Sequence, residues 1–451
     1  MKLVILLFTL LFCPCLSAIQ VDPGKGSDAN DGVKAPVKTI ARGVRLAQPG
    51  DTVFLAPATY YESVVLSGKK GVPGKPITID GQGAIIEGSE PVRAAEWESL
   101  GAGLFRKVKL MPRMDPAILG RWFFLWNGRM NHMGRTSKGP SAPLKKVADL
   151  LADEWTYVQE DDAFYVKLPV GVDLDAANLR YPLRSSGVVL SGDGGHLVVR
   201  NLTCTHVYND GFNIHGDQVD TVFENISAIE CGDDGFSAHE AAECRVDGFV
   251  SIGNSTGLCD TVSSVTHFKN VYVRDCLGHD IFFIGDSPHS MENVLVESSA
   301  AYAFSVAQHG DRPQNGLSRV TLKNVVIRRQ PGETGDLKVT RGGLLKAENC
   351  TFIGLNVLVT PGAEVELTKC VVKGGAEKPE IIIFDEATWK GAGNQYDLKS
   401  LRKGPNFFTP QTFAEFQQKF GSDAGSKWEE VATSPSGVGA DEVSLERLRT
   451  K

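Results

Sequence analysis

A chain of 451 residues, 42% hydrophobic and 22% charged, has the make-up of a soluble protein, yet it is longer than a single core usually grows. Its net charge of −7 excludes the basic footprint that phosphate binding requires, so nucleic acid is not an expected partner. Past the N-terminus no stretch is apolar for long enough to cross a bilayer, and no membrane span is expected.

Residues 1–18 read as a secretory signal peptide. Lys2 gives the positive end, Leu3 to Phe12 the apolar run, and Ser17 and Ala18 the small residues of a cleavage point. A secreted or periplasmic location follows. Beyond this segment stand seven cysteines, Cys204, Cys231, Cys244, Cys259, Cys276, Cys350 and Cys370. An odd number without a CxxC pair fits neither a zinc site nor a fully paired disulfide framework. They are expected to fill the interior as small hydrophobes.

Residues 19–93 are expected to form a cap and the first coils of a solenoid. The turn-rich run Asp22 to Gly32 precedes a short helix from Ile40 to Ala47, with Thr39 as its N-cap. That helix would cover the open end of the first coil. Strands are expected at Thr52 to Leu55, Tyr60 to Leu66, Ile77 to Asp80 and Ala84 to Ile86.

Residues 94–186 lose any repeat and read as an inserted β-rich region. Trp97, Trp122, Trp126 and Trp155 concentrate here, Leu144 to Leu151 has helical spacing, and Trp155 to Leu168 reads as a hairpin around an acidic turn. Trp122 and Trp126 are the better candidates for a sugar-stacking wall, although packing is the commoner fate of tryptophan.

Residues 187–375 nearly repeat themselves every two dozen positions. Asn201, Asn225, Asp247, Asn270 and Asn293 open successive short apolar runs, at steps of 24, 22, 23 and 23 residues. A second register carries Asp210-Gly-Phe-Asn-Ile-His215 and Asp234-Gly-Phe-Ser-Ala-His239, with weaker echoes at Gly257, Ile281 and Ala303. Units this short cannot bury their own apolar faces and must stack, so the expected fold is all-β, a right-handed parallel β-helix. Between Asn293 and Asn324 the step lengthens to 31, which places a projecting loop at Gln308 to Asn315. Residues 376–451 read as a C-terminal capping segment, with a helix at Phe413 to Phe420, followed from Glu430 by a mobile tail.

Alternation along a strand separates core from surface. Phe212 with Ile214, Phe236 with Ala238, Phe282 with Ile284, and Phe304 with Val306 are read as the inward columns. Asn213 with His215, Ser237 with His239, and Cys259 with Thr261 then face outward. Adjacent coils lie about 4.8 Å apart, so His215 and His239 should stack, flanked by Asp217 and Glu240. Asp210, Asp234 and Asp280 fall nearly in one column, beside Asp233 and His279. Each Asp alone is ordinary turn chemistry. Together they repel unless a proton, a metal or a substrate relieves them. The candidate catalytic set is therefore Asp210, Asp233, Asp234, His239, His279 and Asp280. Asn213, His215, Asp217, Glu240, Trp122 and Trp126 are the candidate substrate-binding residues.

The run Asn209-Asp210, Asp233-Asp234, Gly278-His279 is similar to the ordered motifs of polygalacturonase-type glycoside hydrolases. More broadly, residues 20–375 resemble secreted β-helix proteins of the pectate-lyase superfamily. The resemblance implies inverting hydrolysis of a polysaccharide or oligosaccharide, with Asp210, Asp233 and Asp234 as the acid/base set and His279 nearby. It departs from that pattern at Asp280, where a small residue belongs, and in lacking an Arg-Ile-Lys motif for a uronate. Carboxylates one coil apart would suit retaining chemistry and those two coils apart inverting chemistry. A polysaccharide lyase or uronate epimerase is the alternative enzyme, using Ca²⁺ held by the acids and His215 or His239 as base. No Arg or Lys occupies the outward column between Asn209 and Thr261, which counts against it. A non-catalytic carbohydrate-binding protein is the remaining reading. No cofactor is required by the hydrolase reading, and a monomer is expected.

Overall fold

The computed structural model describes residues 17–112, 114–309, 316–330, 335–375, 377–431 and 437–450. The expected signal peptide, but for its last two residues, and most of the projecting loop lie outside them. Two long parallel sheets dominate, one of 17 strands and one of 12, and the chain winds between them as a parallel β-helix.

The first sheet carries the asparagine repeat. Asn201, Asn225, Asn270, Asn293, Asn324 and Asn349 all have φ between 52° and 56°, a left-handed conformation in which Asn and Gly are favoured. Each bends its strand at the same level, and the amides stack. Asn225 Nδ2 donates to Asn201 Oδ1 at 2.9 Å, Asn293 to Asn270 at 2.8 Å, and Asn349 to Asn324 at 2.7 Å. Gly248, with φ 81°, holds this place in the third coil, one residue later than the Asp247 of the sequence reading. Asp247 contributes its carboxylate instead, accepting from Asn270 Nδ2 at 2.7 Å.

Between the sheets lies a continuous apolar interior. Phe212 stacks on Phe236 with centroids 6.3 Å apart, and Phe223 and Phe268 meet Phe236 edge-on from the opposite sheet at 5.1 and 5.4 Å. All seven cysteines are buried and free.

At the N-terminal end the helix Ile40–Leu46 presses on the first coil, its Thr39 side chain accepting from Arg42 N. A Cβ on Gly43 would strike Val21 and Val53, so glycine there sets how closely the helix sits. The coils do not stop near Lys373 as the sequence suggested. Parallel pairing continues through Glu380–Ile383 and Ser400–Lys403, and Phe413–Phe420 then packs Phe413 and Phe416 against Tyr396, Phe408 and Trp428. The tail also departs from expectation. A helix, Glu442–Arg449, lies on the solenoid flank and buries Leu445 and Leu448 against Val250, Tyr272, Leu295 and Val326. Its two buried leucines share one side while Val443 faces water, a pattern that a search for aromatics overlooks.

The irregular region forms two small antiparallel sheets. Glu154–Val158 pairs with Ala163–Lys167, which pairs in turn with Leu104–Val108. Phe124–Trp126 and Leu179–Pro182 belong to the other sheet. Where helical spacing suggested a helix at Leu144 to Leu151, only a 3₁₀ turn at Val147–Asp149 forms. These sheets enclose an apolar core of their own and lean on the solenoid beside the second long sheet.

Candidate active site

Three acids meet at the corner where the chain enters the second sheet. Phe212 pairs with Phe236, which sets Asp210 beside Asp234 on the next coil, with Asp233 one residue earlier. One carboxylate oxygen from each lies within 4.8 Å of the other two. The three residues are only 4%, 7% and 3% exposed for Asp210, Asp233 and Asp234. Asp234 N–H donates to Asp210 Oδ1 and Asn209 Nδ2 to Asp210 Oδ2, both at 3.1 Å.

Their counter-charges come from the irregular region, more than 70 residues earlier in sequence. Lys138 Nζ donates to Asp233 Oδ1 at 2.6 Å and to Asp234 Oδ1 at 2.7 Å. Arg121 Nη1 donates to Asp233 Oδ2 at 2.7 Å. Arg121 follows the short helix Pro116–Gly120, whose N-cap Asp115 accepts from Ile118 N. Lys138 sits in a loop pinned by Ser137 N–H to Ser255 Oγ at 2.8 Å. Two glycines let these segments dock. A Cβ on Gly232 would collide with the Arg121 carbonyl, and one on Gly278 with the Lys138 carbonyl. The two cations enter from outside the outward column, which the sequence reading considered alone. The column itself has none, but the neighbouring region reaches over and supplies two.

Charge then sorts the acids. Burial works against ionisation of all three. At Asp233 the paired Lys138 and Arg121 outweigh it and hold the carboxyl well below its ordinary range. Asp234 is pushed up to about 7 by burial and by the charge of Asp233, with Lys138 opposing. Asp210 is raised well above the usual carboxylate value by burial, then by Asp234 and Asp233. Lys138 stays protonated: burial would lower it, but Asp233 and Asp234 hold it well above its normal value. Two cations thus face three carboxyls, and the cluster is neutral when Asp210 and Asp234 share one proton.

His215 and His239 stack as the spacing predicts, with centroids 4.1 Å apart and planes 16° from parallel. His215 Nδ1 lies 2.9 Å from Glu240 Oε2, which also accepts from Gly216 N–H. Burial and then His215 depress His239 to about 4, so it is neutral. Ser237 Oγ donates to the Cys259 carbonyl at 2.9 Å and meets His239 Nε2 at 2.8 Å. Having spent its proton, the serine accepts from Nε2–H, which fixes the tautomer.

Other residues of the sequence reading fall elsewhere. Asp280 is one position out of the aspartate column. Asp234 pairs with Thr256 and Thr256 with His279, so His279 takes the place and Asp280 faces the interior, fully buried. Burial lifts it to about 7, beside Ser298 and Arg329. The glycine–histidine pair shifts the register by one against Asp210-Gly and Asp234-Gly, which inspection of Asp columns alone conceals. His279 stacks between Phe282 at 4.6 Å and Tyr302 at 4.8 Å, and burial, then Lys138, lower it to about 4. Asp217 is exposed and does not line the cleft. Asn213 faces outward beside it, its Nδ2 3.3 Å from Ser186 Oγ. Trp122 is wholly buried, stacked on Phe164 at 5.0 Å. Trp126 packs edge-on against Phe124 in the same core. Trp122, with no exposed surface, is closed to a sugar, whereas Trp126 keeps part of its surface exposed outside the cleft lining.

One inward column is also corrected. Leu258 pairs with Ile281 and Cys259 with Phe282, so Ile281 and Phe283 fill the core while Phe282 and Ile284 face out. Together with Arg121, Lys138, the three acids and the stacked histidines they line a cleft of about 470 Å³.

Asp210, Asp233 and Asp234 bring carboxylate oxygens within 4.8 Å of one another, and side-chain cations take up the position a metal ion would need. Lys138 Nζ already lies between two of the carboxylates at 2.6 and 2.7 Å, and Arg121 neutralises the remaining charge on Asp233.

No protein-family model matches the chain, and no curated protein does. Among solved structures, a complex of XylC with xylose aligns with a TM-score of 0.56 at 11% identity, covering 93% of this chain and 87% of the other. A structure described as a glycoside hydrolase aligns with a TM-score of 0.53 at 12% identity, covering 90% and 99%. At such identities the likeness is one of fold alone, that of a parallel β-helix.

Proposed function

We propose that this protein is a carbohydrate-active enzyme that hydrolyses a glycosidic bond, with Asp210 and Asp234 as its paired carboxyls. The observation that carries the reading is the splitting of three adjacent acids by two cations. Asp233 is held ionised, while Asp210 and Asp234 keep a proton between them near neutrality. Titratable pairs driven apart in this way are how an acid and a base coexist at one pH. Asp210, which lacks a cation partner among the described residues, donates its proton to the leaving oxygen as the glycosidic C–O bond breaks. Asp234, whose charge Lys138 supports, acts as the carboxylate that attacks the anomeric carbon. Water then releases the sugar, giving its proton back to Asp210. Asp233 has its two oxygens engaged by Lys138 and Arg121, so it positions these cations and does not attack.

The close spacing of the carboxylates supports retention, for which about 5–5.5 Å is typical, over inversion at about 6.5–9.5 Å. Here the geometry and the polygalacturonase-type resemblance point to different stereochemistry. Lyase chemistry fits less well at Lys138, which is protonated, and at His239, a weak base near 4; the other candidate base, His215, is engaged by Glu240 at 2.9 Å. The test is a screen of polysaccharides and oligosaccharides for new reducing ends and for absorbance at ~232 nm, with and without chelator. Hydrolysis gives reducing ends, no absorbance and no effect of chelator. Absorbance growing in step with chain cleavage would replace this reading with elimination.

A further inference from the structure

We propose that Phe282 and Ile284 form a binding platform for an uncharged pyranose ring, the neighbour in the glycan of the ring being cleaved. This rests on the cleft being a glycan site, but not on the bond-breaking step. The outward column of the second sheet runs Asn213, Ser237, Cys259, Phe282 and Ser305. Phe282 is the one large apolar side chain among these five, and Ile284 lies beside it on the same strand and face. Both are part-exposed and line the cleft. The interior does not need them, because Ile281 and Phe283 of the same strand already fill it, each 0% exposed. A Phe and an Ile left part-exposed forgo apolar burial that a ligand seated on them would restore.

Position and charge name the ligand. Phe282 is two rungs from Ser237, roughly 10 Å at the spacing of strands. A ring resting on it is therefore not the ring held at Asp234. Its face is fixed by the parallel His279 ring behind it, 4.6 Å away and 11° off parallel. A flat, immobile aromatic face with partial negative charge suits the C–H face of a sugar. Arg121 and Lys138, the cations lining the cleft among the described residues, are both paired with its acids. Further along the column the next cation, Lys338, lies two rungs beyond Phe282 with its ammonium over the Tyr302 ring at 5.5 Å. A ring resting on Phe282 and Ile284 therefore meets apolar side chains rather than a charge. The platform thus offers apolar contact, which suits a neutral sugar face.

The neighbouring rungs suggest the variant: Phe282→Ser places there the residue already found at Ser237 and Ser305. Binding of xylotetraose, cellotetraose and mannotetraose, with tetragalacturonate as the charged control, is measured calorimetrically on Asp234→Asn protein with and without Phe282→Ser. At least one neutral tetraose should bind, and lose roughly tenfold in affinity, about 1.4 kcal/mol, when Phe282 is replaced. Equal affinity in the two proteins, tighter binding of tetragalacturonate, or no binding of any neutral probe at millimolar concentration would overturn the platform. Loss of binding with Phe282→Ser in a protein that never hydrolyses these glycans would keep the platform and refute the hydrolase.

Discussion

Replacing Lys138 by methionine removes the ammonium while keeping most of the side-chain volume. The Lys138 side chain is 27% exposed and its partners Asp233 and Asp234 are 10% and 4% exposed, so the pairs lie largely out of water. Removing one member of such a pair costs about 3–5 kcal/mol, chiefly because the partner's charge is stranded. Here the stranded charges can escape by taking up protons. With only Arg121 left, Asp210 and Asp234 of the folded variant rise further above their unfolded values, and Asp233 loses part of the depression that Lys138 gives it. Groups raised in this way are tolerated at low pH, where they are protonated, and destabilise the fold as pH climbs through their folded pKa. The stability gap between wild type and Lys138→Met, followed by urea unfolding, should therefore be present already near pH 5, where Asp233 has lost a partner, and widen toward pH 8 as Asp210 and Asp234 ionise. The same change lifts Asp234 above its value of about 7. The acid limb of the pH–rate profile should move upward by at least one pH unit, about 1.4 kcal/mol. A stability gap that is the same at both pH values, or a profile that does not move, would show that Lys138 does not control the protons of the acids.

Three other outcomes test separate parts of the structure. Gly278→Ala puts a methyl group against the Lys138 carbonyl, so it should cost activity more than tenfold while the circular dichroism of the solenoid is unchanged. Trp122→Ala should destabilise by about 3–5 kcal/mol in denaturant titration, as expected for a wholly buried tryptophan. If Trp122 instead contacts sugar, glycan affinity will fall with little change in stability. His206 lies between Glu87 at 2.9 Å and Glu230 at 3.6 Å. Burial would lower it, but these carboxylates raise it to about 9 from 6.5. Its contribution, up to about 3 kcal/mol, is whole below pH 6.5 and lost as pH rises to about 9. Wild type should weaken across that interval, and His206→Gln should not show the drop.

The architecture was legible because its cause is local and periodic. Asn at a left-handed bend, followed by alternating apolar residues, states the same instruction in each coil. The run Ile281-Phe-Phe-Ile284 misled for the opposite reason: all four residues are apolar, so alternation carries no information about which side faces water. Pairing with Leu258 and Cys259 decides it, and that requires the 22- and 23-residue steps to be placed to the residue. Asp280 was misread through the same one-residue ambiguity. The acids Asp210, Asp233 and Asp234 and the histidine stack could be placed together because they sit on adjacent coils in register.

Arg121 and Lys138 could not be found that way. They belong to a region without a repeat and reach the acids through tertiary packing. The signal that could have found their docking points is Gly232 before Asp233 and Gly278 before His279, in coils that have no need of a left-handed residue there. Glycine at such a place marks the close approach of another backbone. The docked tail helix was missed because its burial rests on Leu445 and Leu448 alone, too few to register as a period.

The central claim is that the Asp210–Asp234 pair breaks the glycosidic bond, and Asp234→Asn tests it most directly. Asn keeps the shape of the side chain and removes its charge. On a glycan that the wild type cleaves, the variant should bind with affinity unchanged within about threefold, while its turnover falls by on the order of 10³ or more. Turnover close to that of the wild type would contradict the account.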